Sequence, residues 1–238
     1  MSGKVAPIVL SGAKSLGIEL SPDAAATFEA YYALLEHKGG SVNLTAIKGA
    51  TDVANLHFLD SIALLKAARF SNARVIDIGS GAGFPGIPIK IAEPSVSLTA
   101  LDSAKKRVAF LSGLCDELEI KAEFIQARAE DAAHYPEIRE SYDIALSRAV
   151  ARLNILCEMC LPFVAVGGVF IAMKGADPAG EISEAGAAIE TLGAQLYGVY
   201  NYEIPGTGIA HSAVLIKKTH AAPGKYPRRY ARMLNSPL

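Results

Sequence analysis

The densest chemical signal in the sequence is the run Asp77-Ile78-Gly79-Ser80-Gly81-Ala82-Gly83-Phe84-Pro85-Gly86. Glycine lets the backbone take positive φ and lets a ligand approach where a Cβ would collide. A helix starting near Gly86 aims its free N–H groups and positive end at the loop, and Pro85 or Pro88 suits its first turn. Asp102 ends the next apolar stretch, where a carboxylate can accept the ribose hydroxyls of a nucleoside ligand. Gly81, Gly83 and Gly86 match G-x-G-x-x-G, so a dinucleotide is one candidate ligand and a nicotinamide-dependent oxidoreductase one candidate activity. Asp77, two residues before Gly79, argues for a different ligand. A carboxylate there suits the cationic amino-acid end of S-adenosylmethionine and is out of place beside a pyrophosphate. A purely structural glycine turn is the third reading, and the framing of three alternating glycines by two carboxylates argues against it.

These residues need a scaffold, and the hydrophobic pattern supplies one. Up to about residue 70 the chain reads as helices. Ser21-Pro22-Asp23 starts one that runs to Gly39-Gly40, and a second covers Thr51 to Ala68 with Val53, Leu56, Leu59, Ile62 and Leu65 at helical spacing. From Arg74 strands and helices alternate: strands at 74–79, 97–102, 122–126, 142–147 and 168–174, helices at 86–93, 104–118, 153–164 and 181–192. Such alternation predicts an α/β fold with a parallel sheet covered on both faces. Near the end, strands at 195–202 and 212–218 meet at a Pro205-Gly206 turn with no helix between them, which predicts a terminal antiparallel pair. That ending is what class I methyltransferase sheets look like. The division expected is a helical cap over residues 1–70 and a Rossmann-like domain over 71–238.

Taken together, the motifs resemble the RsmG (GidB) family of bacterial 16S ribosomal RNA guanine-N7 methyltransferases. The resemblance is carried by Asn43-Leu44-Thr45-Ala46-Ile47, His57-Phe58-Leu59-Asp60-Ser61, Val75 through Pro88, and Leu101-Asp102-Ser103 with Lys105-Lys106-Arg107 and Phe110-Leu111. It continues through Arg128-Ala129-Glu130, Ser147-Arg148-Ala149 and Met173-Lys174-Gly175. It implies a class I S-adenosylmethionine-dependent methyltransferase, a Rossmann-like seven-stranded sheet with an antiparallel last strand and an N-terminal helical cap. It implies cofactor contacts at Gly79, Phe84, Asp102, Ala129, Glu130 and Arg148, with Phe84 packed against the cofactor and Ala129-Glu130 flanking its adenine; Asp77, Gly81 and Gly83 of the glycine loop and Ser103 beside Asp102 complete the expected set. The expected partner is 16S ribosomal RNA or the small subunit, with a monomer as the default state. The tail departs from the pattern: Tyr226-Pro227-Arg228-Arg229 is present, but Tyr230-Ala231-Arg232-Met233-Leu234 stands where the family has a Gly-Thr-Pro segment.

The chemistry agrees by what is missing. The chain has no Asn-Pro-Pro-aromatic or Asp-Pro-Pro-aromatic run of amine methyltransferases and no Pro-Cys nucleophile. Guanine N7 carries an in-plane lone pair and no proton, so placement and electrostatics suffice. Arg148 and Lys174 are the catalytic candidates; for Arg148 the plain alternative is a strand-end arginine paired to a carboxylate. Lys105, Arg107, Arg128, Lys174, Arg228 and Arg229 are candidates for RNA phosphates, although a solvated face explains the lysines equally simply. Net charge is −1, but no acidic residue follows Lys217, so Lys217, Lys218, Lys225, Arg228, Arg229 and Arg232 form a basic tail. No apolar run reaches the roughly 18 residues of a membrane span, and Met1 to Ser11 lacks the core of a secretory signal. Cys157 and Cys160 have C-x-x-C spacing, but with Cys115 as the only other thiol they read as small core residues rather than a metal or redox site. A cytoplasmic protein is expected. His57 reads as a hydrogen-bonded junction residue, Tyr31 and Tyr32 as helix packing, and His37, His134, His211 and His220 show no partner in the sequence.

Overall fold

The computed structural model describes residues 4–38, 45–148 and 150–238. The expected helix stop at Gly39-Gly40 and the motif positions Asn43, Leu44 and Ala149 lie outside them. The sheet comprises β1 (Arg74–Ile78), β2 (Ser97–Asp102), β3 (Ala122–Gln126), β4 (Tyr142–Arg148), β5 (Val164–Gly175), β6 (Ala194–Ile204) and β7 (Ile209–Lys218). Their order is β3-β2-β1-β4-β5-β7-β6, with β7 antiparallel to both of its neighbours. From β1 the chain moves outward to β2 and β3, then returns to place β4 on the other side of β1. The reversal leaves a crevice beyond the carboxyl ends of β1 and β4, where ligands of open α/β sheets bind.

Alternation along the strands builds two apolar layers. Val75, Leu98, Ile144, Leu146, Ile171 and Met173 face the helices before residue 70 and the helices Gly86–Ala92 and Lys105–Glu117. Ile76, Ile78, Ala145, Phe170, Ala172 and Val214 face the helices Leu153–Cys160 and Gly186–Thr191 and the tail. Cys115, Cys157 and Cys160 are free and buried in these layers.

Several boundaries differ from the sequence reading for local reasons. The helix expected over 153–164 ends at Cys160 and tightens through Leu161–Phe163, which contains Pro162. β5 begins at Val164 rather than 168, because a bulge over Gly167 (φ +92) shifts its register on β4 and lets the strand continue. The helix expected over 181–192 is two, Ala179–Glu184 and Gly186–Thr191, interrupted at Ala185 just before Gly186. The hairpin strands extend further than expected on both sides of their turn. Three helices add to the expected set: Ala6–Ser15, Ala129–Ala132 and Tyr230–Asn235. The Glu29 carboxylate accepts the backbone N–H groups of Lys4, Val5 and Ala6, so the first helix begins under a cap supplied by the second.

The tail is fastened internally. Arg139 donates to the carbonyls of Ala133, Ala222 and Tyr226. Arg228 meets Glu158 through Nε at 2.8 Å and Nη2 at 2.6 Å, and the Glu158 side chain is 1% exposed. Arg228→Ala would leave that carboxylate buried without its cation, a loss of about 3–5 kcal/mol. Urea denaturation of the wild type and this variant checks it; a difference below about 1 kcal/mol, the worth of an exposed pair, would contradict the anchoring role.

Candidate functional site

The loop after β1 is shaped by contacts that leave no room for side chains. Gly83 has φ +105, and a Cβ there would meet the Tyr31 hydroxyl at 2.5 Å and Ile87 Cγ1 at 2.9 Å. The Tyr31 hydroxyl donates to the Ala82 carbonyl at 2.5 Å, so this tyrosine, expected only to pack, pins the loop to the N-terminal helices. Gly79 has φ +75, and a Cβ there would lie 2.7 Å from Val150 Cγ2. Asp102 ties the loop to the end of β2: its Oδ2 accepts the Gly81 N–H at 3.0 Å and its Oδ1 the Ala104 N–H at 2.8 Å.

A cavity of about 360 Å³ opens beside this loop, within the range of small-ligand sites. Gly79, Asp102, Ser103, Arg107, Arg128, Ala129, Glu130 and Arg148 line it, so the structure gathers most of the expected cofactor set here. Ile78, Leu101, Val150 and Met159 add apolar wall, and Tyr230 from the tail completes it. Arg107 and Arg128, read from sequence as RNA contacts, stand at the same rim, 3.5 Å from Asp102 and 3.6 Å from Glu130 respectively. Lys105 and Arg229 are exposed.

Four expected contacts lie elsewhere. Phe84 is buried, stacked on His57 at 4.2 Å with Arg148 over its ring at 5.0 Å, and it does not line the cavity. Gly83 is covered by Tyr31, and Gly81 serves through its N–H. Asp77 is beneath the loop rather than in the cavity. Its Oδ2 accepts the Gly86 N–H at 2.9 Å, its Oδ1 is buried without a hydrogen-bond partner, and burial pushes its carboxyl up to about 7.

Arg148 is shared with a second cavity of about 560 Å³, lined by Ile47, Leu56, His57, Asp60, Met173, Lys174, Gly175 and His211 as well. The helical stretch 50–66 widens to i→i+5 turns over Ala54–Leu59, a distortion frequent at functional sites. From there the Leu56 carbonyl accepts Arg148 Nη1 at 3.1 Å, and His57 Nδ1 faces Nη2 at 3.0 Å. A guanidinium only donates, so Nδ1 accepts. The imidazole proton is then on Nε2, which donates to Thr45 Oγ1 at 2.7 Å. Burial and the Arg148 charge hold His57 down to about 3.

Asp60 is the buried counter-charge. Its Oδ1 accepts from the Tyr202 hydroxyl at 2.8 Å and His211 Nδ1 at 2.9 Å, and its Oδ2 lies 3.4 Å from Arg148 Nη1. Hydrogen bonding to Asp60 raises the His211 pKa above that of a free histidine. Lys174 is held by Glu181 at 2.7 Å and by the Ala151 carbonyl at 3.0 Å. His211, unpartnered in the sequence reading, is thus part of the site, and Asp60 stands opposite Arg148. His134 too has a partner, the Pro227 carbonyl at 2.9 Å. No short-range signal reveals these pairs, because β6 and β7 follow Asp60 by well over a hundred residues.

The residues fit S-adenosylmethionine. Asp102 faces the cavity with lone-pair capacity for ribose hydroxyls, the wall beyond it is apolar, and a buried unpaired carboxylate oxygen of Asp77 stands under the glycine loop. This sheet order with an antiparallel β7, together with the glycine loop and Asp102, is that of the class I methyltransferase fold. The family model described as rRNA small subunit methyltransferase G, GidB, matches residues 24–205, and the chain belongs to that family. A protein of Pelotomaculum thermopropionicum named ribosomal RNA small subunit methyltransferase G is 44% identical over 227 residues, covering 94% of this chain and 95% of that protein. Its namesake in Thermoanaerobacter pseudethanolicus is 42% identical over 240 residues, with both chains covered in full. Among solved structures, a SAM-dependent methyltransferase from Aquifex aeolicus has a TM-score of 0.51 at 16% identity, covering 69% of this chain and 92% of that one. Aeropyrum pernix fibrillarin with bound S-adenosyl-L-methionine has a TM-score of 0.50 at 14% identity, over 64% of this chain and 71% of that one. Both show the shared fold.

The His57 environment sets a pH dependence. The ring titrates at about 3 in the folded protein against 6.5 for a free histidine, so below pH 6.5 only the unfolded chain takes up this proton. Stability therefore falls as pH drops from about 6.5 toward about 3. His57→Gln, which does not titrate, lacks this component. Urea denaturation of the pair between pH 7.5 and 5 should show the wild type losing more stability; parallel losses would show that the ring protonates in place.

Proposed function

We propose that the protein transfers the methyl group of S-adenosylmethionine to N7 of a guanine in 16S ribosomal RNA, in the hairpin at the decoding centre. The named relatives support the ribosomal RNA substrate, and the family resemblance supports the guanine and its location. One observation bears on the choice of N7: among the described residues, the cavity that shares Arg148 with the cofactor cavity offers a single proton acceptor, His211, whose Nδ1 is held by Asp60 and whose Nε2 makes no hydrogen bond. Asp60 is its carboxylate and already faces Tyr202, His211 and Arg148, and Lys174 is bound to Glu181. His57 has both ring nitrogens engaged. A methyl acceptor with a lone pair and no proton needs no base at all, whereas an exocyclic amine would depend on His211 to take its proton.

In this reading the cofactor supplies an electrophilic methyl group, and the chain supplies placement. Asp102 holds the ribose, Ala129 and Glu130 border the adenine, and Asp77 favours the cationic amino-acid end from beneath the loop. Arg148, fixed on three sides, borders both cavities and would position the acceptor base beside the methyl group. Leu56, Met173 and Ile47 give the acceptor base an apolar seat. N7 lies on the deep, narrow major-groove edge of A-form RNA, so the target sits in a loop or open junction. Lys105, Arg107, Arg128 and Arg229 are the cations proposed to meet phosphates; Arg228 is committed to Glu158 and leaves that set. The protein acts as a monomer in the cytoplasm, where its substrate is assembled. No helix of the described residues is long and apolar enough to cross a membrane.

Incubating the protein with small subunits lacking the modification and with methyl-labelled cofactor tests the proposal. Label in 7-methylguanine at one position of the decoding-centre hairpin is expected; label on another atom or in another RNA would overturn it. Arg148→Ala and Lys174→Ala should each lower single-turnover methyl transfer by about a hundredfold, the scale of a misplaced reacting pair, while calorimetry shows a much smaller loss of cofactor affinity. Equal losses in both assays would move these residues from acceptor placement to cofactor binding.

A further inference from the structure

We propose that the C-terminal tail is a wall of the cofactor site, with the Tyr230 ring covering the nucleoside of S-adenosylmethionine. Tyr230 lines the same cavity as Asp102, Ala129, Glu130 and Met159. It opens the helix Tyr230–Asn235, which seats the fully buried Met233 in the apolar layer around Leu153–Cys160.

The ring is delivered to a fixed place. Two residues earlier, Arg228 binds Glu158 through its backbone N–H at 2.7 Å and through Nε and Nη2 of its guanidinium. Glu158 precedes Met159, so the ion pair sets the tail down beside another lining residue of the cavity. Upstream, the Pro227 carbonyl faces His134 Nε2 at 2.9 Å and the Tyr226 carbonyl accepts Arg139 Nη1 at 2.9 Å. A segment so fastened orders its aromatic residue before any ligand arrives, and preordering lowers the cost of binding. A flat aromatic ring beside a thioether and the apolar Ile78 and Leu101 suits the face of a purine.

The inference rests on the nucleoside occupying the Asp102 cavity, so Asp102→Ala serves as the reference variant. Tyr230→Ala should weaken S-adenosylhomocysteine binding about tenfold by calorimetry, the scale of a lost base–aromatic contact. Tyr230→Phe should keep wild-type affinity, and the ligand-free thermal midpoint of Tyr230→Ala should stay near that of the wild type. The chain has no tryptophan, so Tyr230→Trp places a sole indole at this wall. Its emission should change on titration with S-adenosylhomocysteine and saturate with the calorimetric binding curve. Unchanged affinity in Tyr230→Ala while Asp102→Ala loses binding would overturn the role of the tail alone. Emission in Tyr230→Trp that ignores a ligand shown by calorimetry to bind would do the same. Full binding by Asp102→Ala would instead overturn the placement of the nucleoside.

Discussion

A carboxylate taken out of water must be matched by donors, and the architecture of this site follows from how Asp60 is matched. Its side chain is 2% exposed and meets Arg148 from β4, Tyr202 from β6 and His211 from β7. Removing Arg148 would leave the buried carboxylate without its guanidinium, at a cost well above the worth of an exposed pair. The N-terminal helices are thereby held to the far side of the sheet as well as to its centre. Arg148 gains a fixed direction it would not have as a solvent-facing strand end. That direction puts one guanidinium in the wall of two cavities.

The second constraint is geometric. The reversal of strand order between β1 and β4 opens a crevice at the carboxyl ends of both. The glycine loop leaves β1 there, and Arg148 leaves β4 there. The loop cannot take its path unless Gly83 stays bare under the Tyr31 hydroxyl. The Asp102 cavity is thus bounded by parts whose positions are set from opposite faces: Tyr31 and the helical stretch 50–66 on one, the helix Leu153–Cys160 and the tail on the other.

Sequence reveals what is local. Strand-to-helix alternation, the glycine spacing and Asp102 at the end of β2 are written within a few dozen consecutive residues, and each is where those patterns place it. The short run Arg128-Ala129-Glu130 likewise reaches the cavity intact. Phe84 shows the limit. Its position next to the glycines suggests a ligand contact, but which way a ring turns depends on Tyr31, His57 and Phe58, contributed by distant helices. The helices Ala6–Ser15 and Tyr230–Asn235 escape for the same reason: one is capped by Glu29 and the other anchored by Glu158, and neither partner is a sequence neighbour.

The basic tail makes the same distinction in electrostatic terms. Six cations with no acidic residue among them suggest an edge for a phosphate-bearing partner. The fold engages half of that set internally: Lys217 donates to the Gly167 carbonyl, Lys218 is buried against Glu140 and the Leu161 carbonyl, and Arg228 holds Glu158. Lys225, Arg229 and Arg232 remain exposed. Two of these flank Tyr230, which lines the Asp102 cavity together with Arg107 and Arg128. Exposed cations act within about a Debye length, roughly 8 Å at physiological salt, and at this cavity Arg107 and Arg128 already stand against Asp102 and Glu130. The field at the mouth of the site is thus set by the cations the fold leaves uncommitted and not by the full six-residue basic run.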